Sequence, residues 1–355
     1  MSGMVAVDEK NGFTLIEVVL IIIVLGIISA FVAAKFVDMG SSARIEAERS
    51  VVGSTRGGIS SYGVESRLTN RLPVLPAALD GATDGPVSSG NPFFGNVLSQ
   101  SSLADWEKSG QSYRGPAGNI YTYDPATGSF VTNFGLLSSF FLNEGGGATA
   151  SGLGPVGTFA TIPGGNNPTW TSGQIDGALN FDGTGGYVHL NPSPALDPTT
   201  SGTVQIWINP NVAAQPSAAG LVHRGDLASF ADETYSLQFW NGNTITLYLN
   251  DISGNAYQVT TTTNFTNTGQ WYLVTGTWDS SGMKIYVNGQ LEASNTTAVT
   301  LRNAPAGGVN IGAQTTGVYS GAYKNFPFNG KIDSASVFNR SLSTGEILWG
   351  YNSPH

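Results

Sequence analysis

An α+β module led by one long helix, followed by an all-β sandwich, is the fold this sequence predicts, and three observations predict it. The first is an uncharged apolar run, Val18 to Ala34, continued by Ile45, Val52 and Ile59 at seven-residue spacing. The second is a hairpin pattern between Asn119 and Val131. The third is a change of texture after Gly135, where short alternating strands are separated by glycine and asparagine turns, as in a sandwich.

The seventeen residues from Val18 to Ala34 carry no charge and one hydroxyl, Ser29. As a helix at ~1.5 Å per residue they reach ~26 Å, close to the ~30 Å of a bilayer core. A secretory signal peptide would need a basic start and a small-residue cleavage site after the run. The leader Met1 to Gly12 instead sets Asp8 and Glu9 against Lys10. Glu17 stands at the head of the run, where an intramembrane charge costs roughly 2.5–3.5 kcal/mol and so requires a partner.

The stretch Gly12-Phe13-Thr14-Leu15-Ile16-Glu17-Val18-Val19 resembles the processing signal of type IV prepilins and pseudopilins. Lys35-Phe36-Val37-Asp38 with Ser42-Ala43-Arg44 is similar to the pilins of the mannose-sensitive haemagglutinin pilus. The resemblance implies that a prepilin peptidase cuts between Gly12 and Phe13 and methylates Phe13, leaving the apolar segment attached. It also implies that Glu17 pairs, in the assembled filament, with the Phe13 amino group of a neighbouring subunit, so that both charges are buried together. Ala34 stands where many pilins have a helix-kinking proline.

The helix is expected to run from 13 to 62, with Arg44 four residues before Glu48, and Gly53, Gly57 and Gly58 either permitting close packing or fraying its end. A small head over 63–135 follows. Ile120-Tyr121-Thr122-Tyr123 and Ser129-Phe130-Val131 flank the turn Asp124 to Gly128. The domains are therefore a leader over 1–12, a pilin module over 13–135 and an all-β domain over 136–355.

In that last domain Val204, Ile206 and Ile208 alternate onto one face, as do Met283, Ile285 and Val287 before Asn288-Gly289, a type I′ hairpin signal. Gly177-Ala178-Leu179-Asn180-Phe181-Asp182-Gly183, Trp271 to Asp279 and Asn329-Gly330-Lys331-Ile332-Asp333 resemble the laminin G-like, concanavalin A-like jellyroll.

Composition bounds the chemistry. Among 355 residues, 11% are charged, 47 are glycine and the net charge is -9, with no basic patch for nucleic acid. No cysteine is present, which removes disulfides and thiolate metal sites. No strand carries two glutamates at alternate positions, as a glycosidase cleft requires, and no serine sits in a Gly-x-Ser-x-Gly elbow, so no catalytic residue is assigned and no enzyme is expected. No cofactor is implied except a structural calcium, for which the jellyroll resemblance makes Asp333 the ligand; the alternative is a carboxylate capping a turn. Arg224-Gly225-Asp226 reads as a structural turn. For carbohydrate, Tyr319, Tyr323 and Phe326 crowd one loop and Trp240 stands near Asn241 and Asn243, offering ring faces on which a sugar stacks.

The expected function is a structural subunit of a bacterial type IV pilus or pilus-like filament bearing an outward-facing, lectin-like adhesive or protective jellyroll. Its partners would be copies of itself or other pilins, the prepilin peptidase with the inner-membrane assembly machinery, and a glycan or other surface ligand. It would sit in the inner membrane before assembly and on the cell surface afterwards. The alternatives are a pseudopilin of a type II secretion system and, further off, a polysaccharide-acting enzyme.

Overall fold

The computed structural model describes residues 43–69, 74–98, 104–156, 159–162, 168–225, 233–241, 243–303, 308–319 and 322–352. Gly12, Phe13, Glu17 and the apolar run lie outside them, and among the described residues no helix is long and apolar enough to cross a membrane.

Helix α1 covers residues 43–69, seven residues past the expected end at 62. The three glycines explain why the end was misplaced. A Cβ on Gly58 would lie 2.1 Å from the Val97 carbonyl oxygen, so this glycine admits the chain that packs across the helix. Gly53 and Gly57 have nothing within 4 Å of such a Cβ and simply face outward. Packing of the inner face outweighs the ~1 kcal/mol that each glycine costs a helix.

That inner face meets a five-stranded antiparallel sheet in chain order: β1 (Gly85–Pro86), β2 (Glu107–Ser109), β3 (Ser112–Arg114), β4 (Ile120–Asp124) and β5 (Ser129–Thr132). The last two form the expected hairpin, closed by Gly128 at φ 73°. Val52 and Ile59 are buried against Phe94, Trp106, Tyr113 and Phe130, whereas Ile45 stays exposed. Glu48 does not pair along the helix. Its carboxylate turns inward and accepts the Ala117 N–H at 2.7 Å, the Asn119 side-chain amide at 2.7 Å and the Tyr121 hydroxyl at 2.9 Å. Gly115 makes room for it, since a Cβ there would come within 2.3 Å of Glu48 Oε2.

The remainder is an all-β jellyroll of two sheets. One contains β6 (Leu136–Phe140), β9 (Thr169–Ser172), β10 (Gly177–Asp182), β12 (Gly202–Pro210), β17 (Tyr272–Asp279), β18 (Gly282–Val287), β19 (Gln290–Asn295) and β23 (Asn329–Phe338). The other, in spatial order, is β7 (Thr149–Leu153), β8 (Phe159–Thr161), β11 (Val188–Leu190), β20 (Gly308–Ile311), β13 (Gly220–Gly225), β14 (Glu233–Trp240), β15 (Thr244–Asn250) and β16 (Ala256–Thr260). Strand β7 bonds to both β6 and β8 and so passes from one sheet to the other. Val204, Ile206, Ile208, Met283, Ile285 and Val287 all enter the core between the sheets, as their alternation predicts. Asn288 and Gly289 have φ 51° and 79°, the two positive angles of a type I′ turn.

Helix α2 (Thr344–Asn352) closes the chain against the helix–sheet module. It opens with a capping box, in which Glu346 Oε2 accepts the Ser343 N–H at 2.9 Å and the Ser343 hydroxyl accepts the Glu346 N–H at 3.3 Å. Glu346 also binds Arg340 at 2.6 Å and the Ser112 hydroxyl of β3 at 2.9 Å. Burial alone would raise the Glu346 carboxyl, but the hydrogen bonds and charge of Arg340 hold it below its ordinary value.

Candidate functional site on the outer face of the second sheet

The two-residue period of β14 divides it cleanly: Tyr235, Leu237 and Phe239 enter the core, so Ser236, Gln238 and Trp240 take the opposite face. Register then sets a line of polar side chains across the sheet. His189 is paired with Asn310, Asn310 with His223, His223 with Ser236, Ser236 with Tyr248 and Tyr248 with Gln258. A second, shorter line runs through Gln238, Thr246 and Thr260, with Thr246 and Thr260 hydroxyls 2.8 Å apart.

Glu233 belongs to the first line. A register shift between Arg224 and Gly225 offsets the start of β14, and the Glu233 carboxylate comes to lie 3.9 Å from His223 Nε2. Both side chains are 2–4% exposed. Gly225 allows the approach, because a Cβ there would be 2.9 Å from Glu233 Cα and 3.1 Å from the His223 ring. Gly308 does the same for His189, whose Cε1 would be 2.3 Å from an added Cβ. His189 Nδ1 in turn is 2.8 Å from Asn310 Oδ1.

Burial has made this line electrostatically unusual. It pushes His223 down to about 4, assisted by the Arg224 charge, and so keeps the ring neutral. It pushes Glu233 up to about 7, a rise that the Ser236 hydroxyl reduces. The two groups therefore meet as a neutral imidazole and a carboxyl that is ready to hold a proton. His223 Nδ1, Glu233 Oε1, Thr234 Oγ1 and Gln314 Oε1 are buried with no hydrogen-bond partner among the described residues. Buried polar groups are normally satisfied by protein or by ordered water.

Of the residues expected to hold carbohydrate, Trp240 lies at the half-buried end of this face, opposite Thr244. The stretch read as a loop is a hairpin, β21 (Ala313–Tyr319) with β22 (Ala322–Pro327). Tyr319 is paired with Ala322 and Tyr323 with Val318, and their side chains lie outside the described residues. Phe326 is half-buried opposite Gln314, whose backbone presses on Gly220, itself the partner of Gln238. Phe328 goes to the core, stacked on Phe239.

Asp333 is fully buried on β23 and does the work of a turn cap, accepting the Ile175 N–H at 2.7 Å and the Ser334 hydroxyl at 3.1 Å. Burial raises its carboxyl above the ordinary value, against the hydrogen bonds that lower it. Among the described residues no three His, Cys, Asp or Glu side chains group as a metal site. Arg224 is unavailable as part of an adhesive tripeptide: it is wholly buried and holds Asp197 through bonds of 2.8 and 2.9 Å.

The lines of polar side chains escaped sequence reasoning because polar positions on an alternating strand are ordinarily solvated. Two signals were present. Of only three histidines, two occupy outward positions of strands, and each has a glycine for a neighbour in space.

Residues 182–348 match the family model of the concanavalin A-like lectin/glucanases superfamily. Three of the solved structures to which the chain is similar are the following. Domain 4 of AbnA, a GH43 extracellular arabinanase from Geobacillus stearothermophilus in complex with arabinotriose, is 19% identical with TM-score 0.45, covering 60% of this chain and 96% of that one. Trypanosoma rangeli sialidase in complex with sialic acid is 17% identical with TM-score 0.45, covering 65% of this chain and 35% of that one. Botulinum neurotoxin type C, whose cell entry depends on interaction with two ganglioside molecules, is 16% identical with TM-score 0.47, covering 62% of this chain and 52% of that one. No curated protein matches the sequence.

Proposed function

We propose that this chain is a subunit of a type IV pilus or pilus-like filament, and that its jellyroll is an outward-facing glycan-binding domain whose ligand sits at the open Trp240, Tyr248 and Gln258 end of the polar line, with buried His223 and Ser236 behind it. The filament reading rests on Gly12 to Glu17 and the apolar run behind them, supported by the helix that packs on a small antiparallel sheet. Phe13 and Glu17 are its assembly residues and Gly12 its processing residue. The observation that carries the binding reading is the pair of buried atoms without partners, His223 Nδ1 and Glu233 Oε1, that stand together behind this face. Sugar hydroxyls both donate and accept, so they suit a neutral imidazole beside a carboxyl, with the Trp240 and Tyr248 rings as flanking faces.

The domain is assigned binding and no catalytic step. Glycoside hydrolysis needs two carboxylates facing each other across the scissile bond, and Glu233 is flanked by His223, Ser236 and Tyr248 instead.

Replacement of Gln238 by Leu or Tyr248 by Ala in the detergent-solubilised full chain should weaken binding on a glycan array at least tenfold while leaving the melting temperature within a few degrees. The double substitution Tyr319→Ala, Tyr323→Ala separates the two candidate surfaces. Binding that survives Gln238→Leu and Tyr248→Ala but vanishes in the tyrosine double variant would move the site to the β21–β22 hairpin.

A further inference from the structure

The helix–sheet module and the jellyroll meet across a polar contact, and on one side of it the surfaces stand apart. They leave a cavity of about 590 Å³, within the ~300–1,000 Å³ typical of small-ligand sites. Its floor is the Arg340–Glu346 pair with Ser112 and Thr122 reaching in from β3 and β4. Arg340 also donates to the Phe134 carbonyl at 2.8 Å and lies over the Phe134 ring, which fixes the segment that joins the two modules. The floor is thus preorganised from both sides.

Contacts between modules of one chain are ordinarily polar, and this one follows the rule. The apolar part here is a small cluster of Tyr286, Leu342 and Ile347, while Ser109, Ser112, Thr122 and Glu346 are buried polar groups. Asp84, Asp279 and Lys284 line the walls together with Gln111. Gln111 Oε1 is out of solvent yet has no partner among the described residues, although its amide nitrogen reaches the Ala77 carbonyl at 3.3 Å. Vicinal hydroxyls match such walls: carboxylates accept from them, and lysine donates to them.

We infer that this cleft between the modules is a second binding site, for a short saccharide. It is separate from the outer sheet face, since Lys284 stands on β18 of the other sheet and Gln111 in the turn between β2 and β3, and it stands whether or not the sheet face binds.

The test is saturation-transfer difference NMR on the detergent-solubilised full chain with glucose, galactose, mannose and N-acetylglucosamine as probes. Gln238→Leu serves as the background that removes the sheet-face site, and Gln111→Leu and Lys284→Met as the cleft variants. Transfer to at least one sugar should persist in the Gln238→Leu background and drop at least fivefold when either cleft substitution is added, with unchanged melting temperature. Transfer that disappears with Gln238→Leu alone, that ignores both cleft substitutions, or that is absent for all four sugars would overturn the second site. The first of these outcomes would leave the sheet-face reading intact.

Discussion

Asp197→Ala lowers the stability of the jellyroll by about 3–5 kcal/mol, because it strands a guanidinium in the core. Arg224 is fully buried, and Asp197 takes its Nε at 2.8 Å and one terminal nitrogen at 2.9 Å, with the Ser193 carbonyl 3.1 Å from that same nitrogen. Removing the carboxylate leaves an uncompensated charge where water cannot reach it. For a domain of this size the loss corresponds to a melting temperature lower by roughly 10 °C. Arg224→Met combined with Asp197→Leu should recover most of it, since replacing both partners removes the desolvation cost with the attraction. Thermal unfolding of the two variants beside the parent decides the matter: Asp197→Ala within about 1 kcal/mol of the parent would mean that the pair is solvated.

The second large effect is a cancellation that single substitutions expose. Glu233 has an ordinary value of 4.5 and a folded value of about 7, so between those limits the native state holds a proton that the unfolded chain has released. Stability from this group therefore falls as pH rises through the window. His223 has an ordinary value of 6.5 and a folded value of about 4, so there the unfolded chain holds the extra proton and stability rises with pH. Over the shared interval, from about pH 4.5 to 6.5, the opposing slopes offset each other and the parent protein is nearly flat. Glu233→Gln leaves the histidine slope, and stability should climb by about 3 kcal/mol toward pH 6.5. His223→Gln leaves the glutamate slope, and stability should decline by a similar amount, about 3 kcal/mol, toward pH 7. Denaturant unfolding of both variants at half-unit pH steps is the check. Profiles parallel to the parent would show that neither group titrates abnormally.

These two predictions concern features of unequal legibility. The hairpins at Asp124–Gly128 and Asn288-Gly289 were written in turn chemistry, and the inward faces of β12 and β18 in strict alternation, so each could be placed from the sequence. The end of α1 could not, because a glycine that frays a helix and one that admits a crossing chain look alike until Val97 is seen against Gly58. Asp333 matched a position associated with calcium, and its bond from the Ile175 N–H, distant in sequence, has no local signature. The His223–Glu233 approach was hidden for a related reason. It depends on a bulge beside Gly225 and on the register between β13 and β14, neither of which has a local signature.

Trp240 occupies an intermediate position. Its proximity to two asparagines drew attention to it in the sequence, and the fold puts it on the polar face of the second sheet. The aromatic hairpin at 313–327 was recognisable by composition, but its pairing, which sets Phe326 opposite Gln314, was not.

The account stands on the assembly of this chain into filaments with the jellyroll facing outward. Its most direct test is cryo-electron microscopy of filaments sheared from the native cells, coupled to mass spectrometry of the subunit's amino terminus. The expected result is a subunit that begins at methylated Phe13, with Glu17 beside the amino terminus of its neighbour and the jellyroll on the outer surface. A processed chain that is absent from every surface filament and retained in the envelope would contradict it, and would favour a secretion pseudopilin.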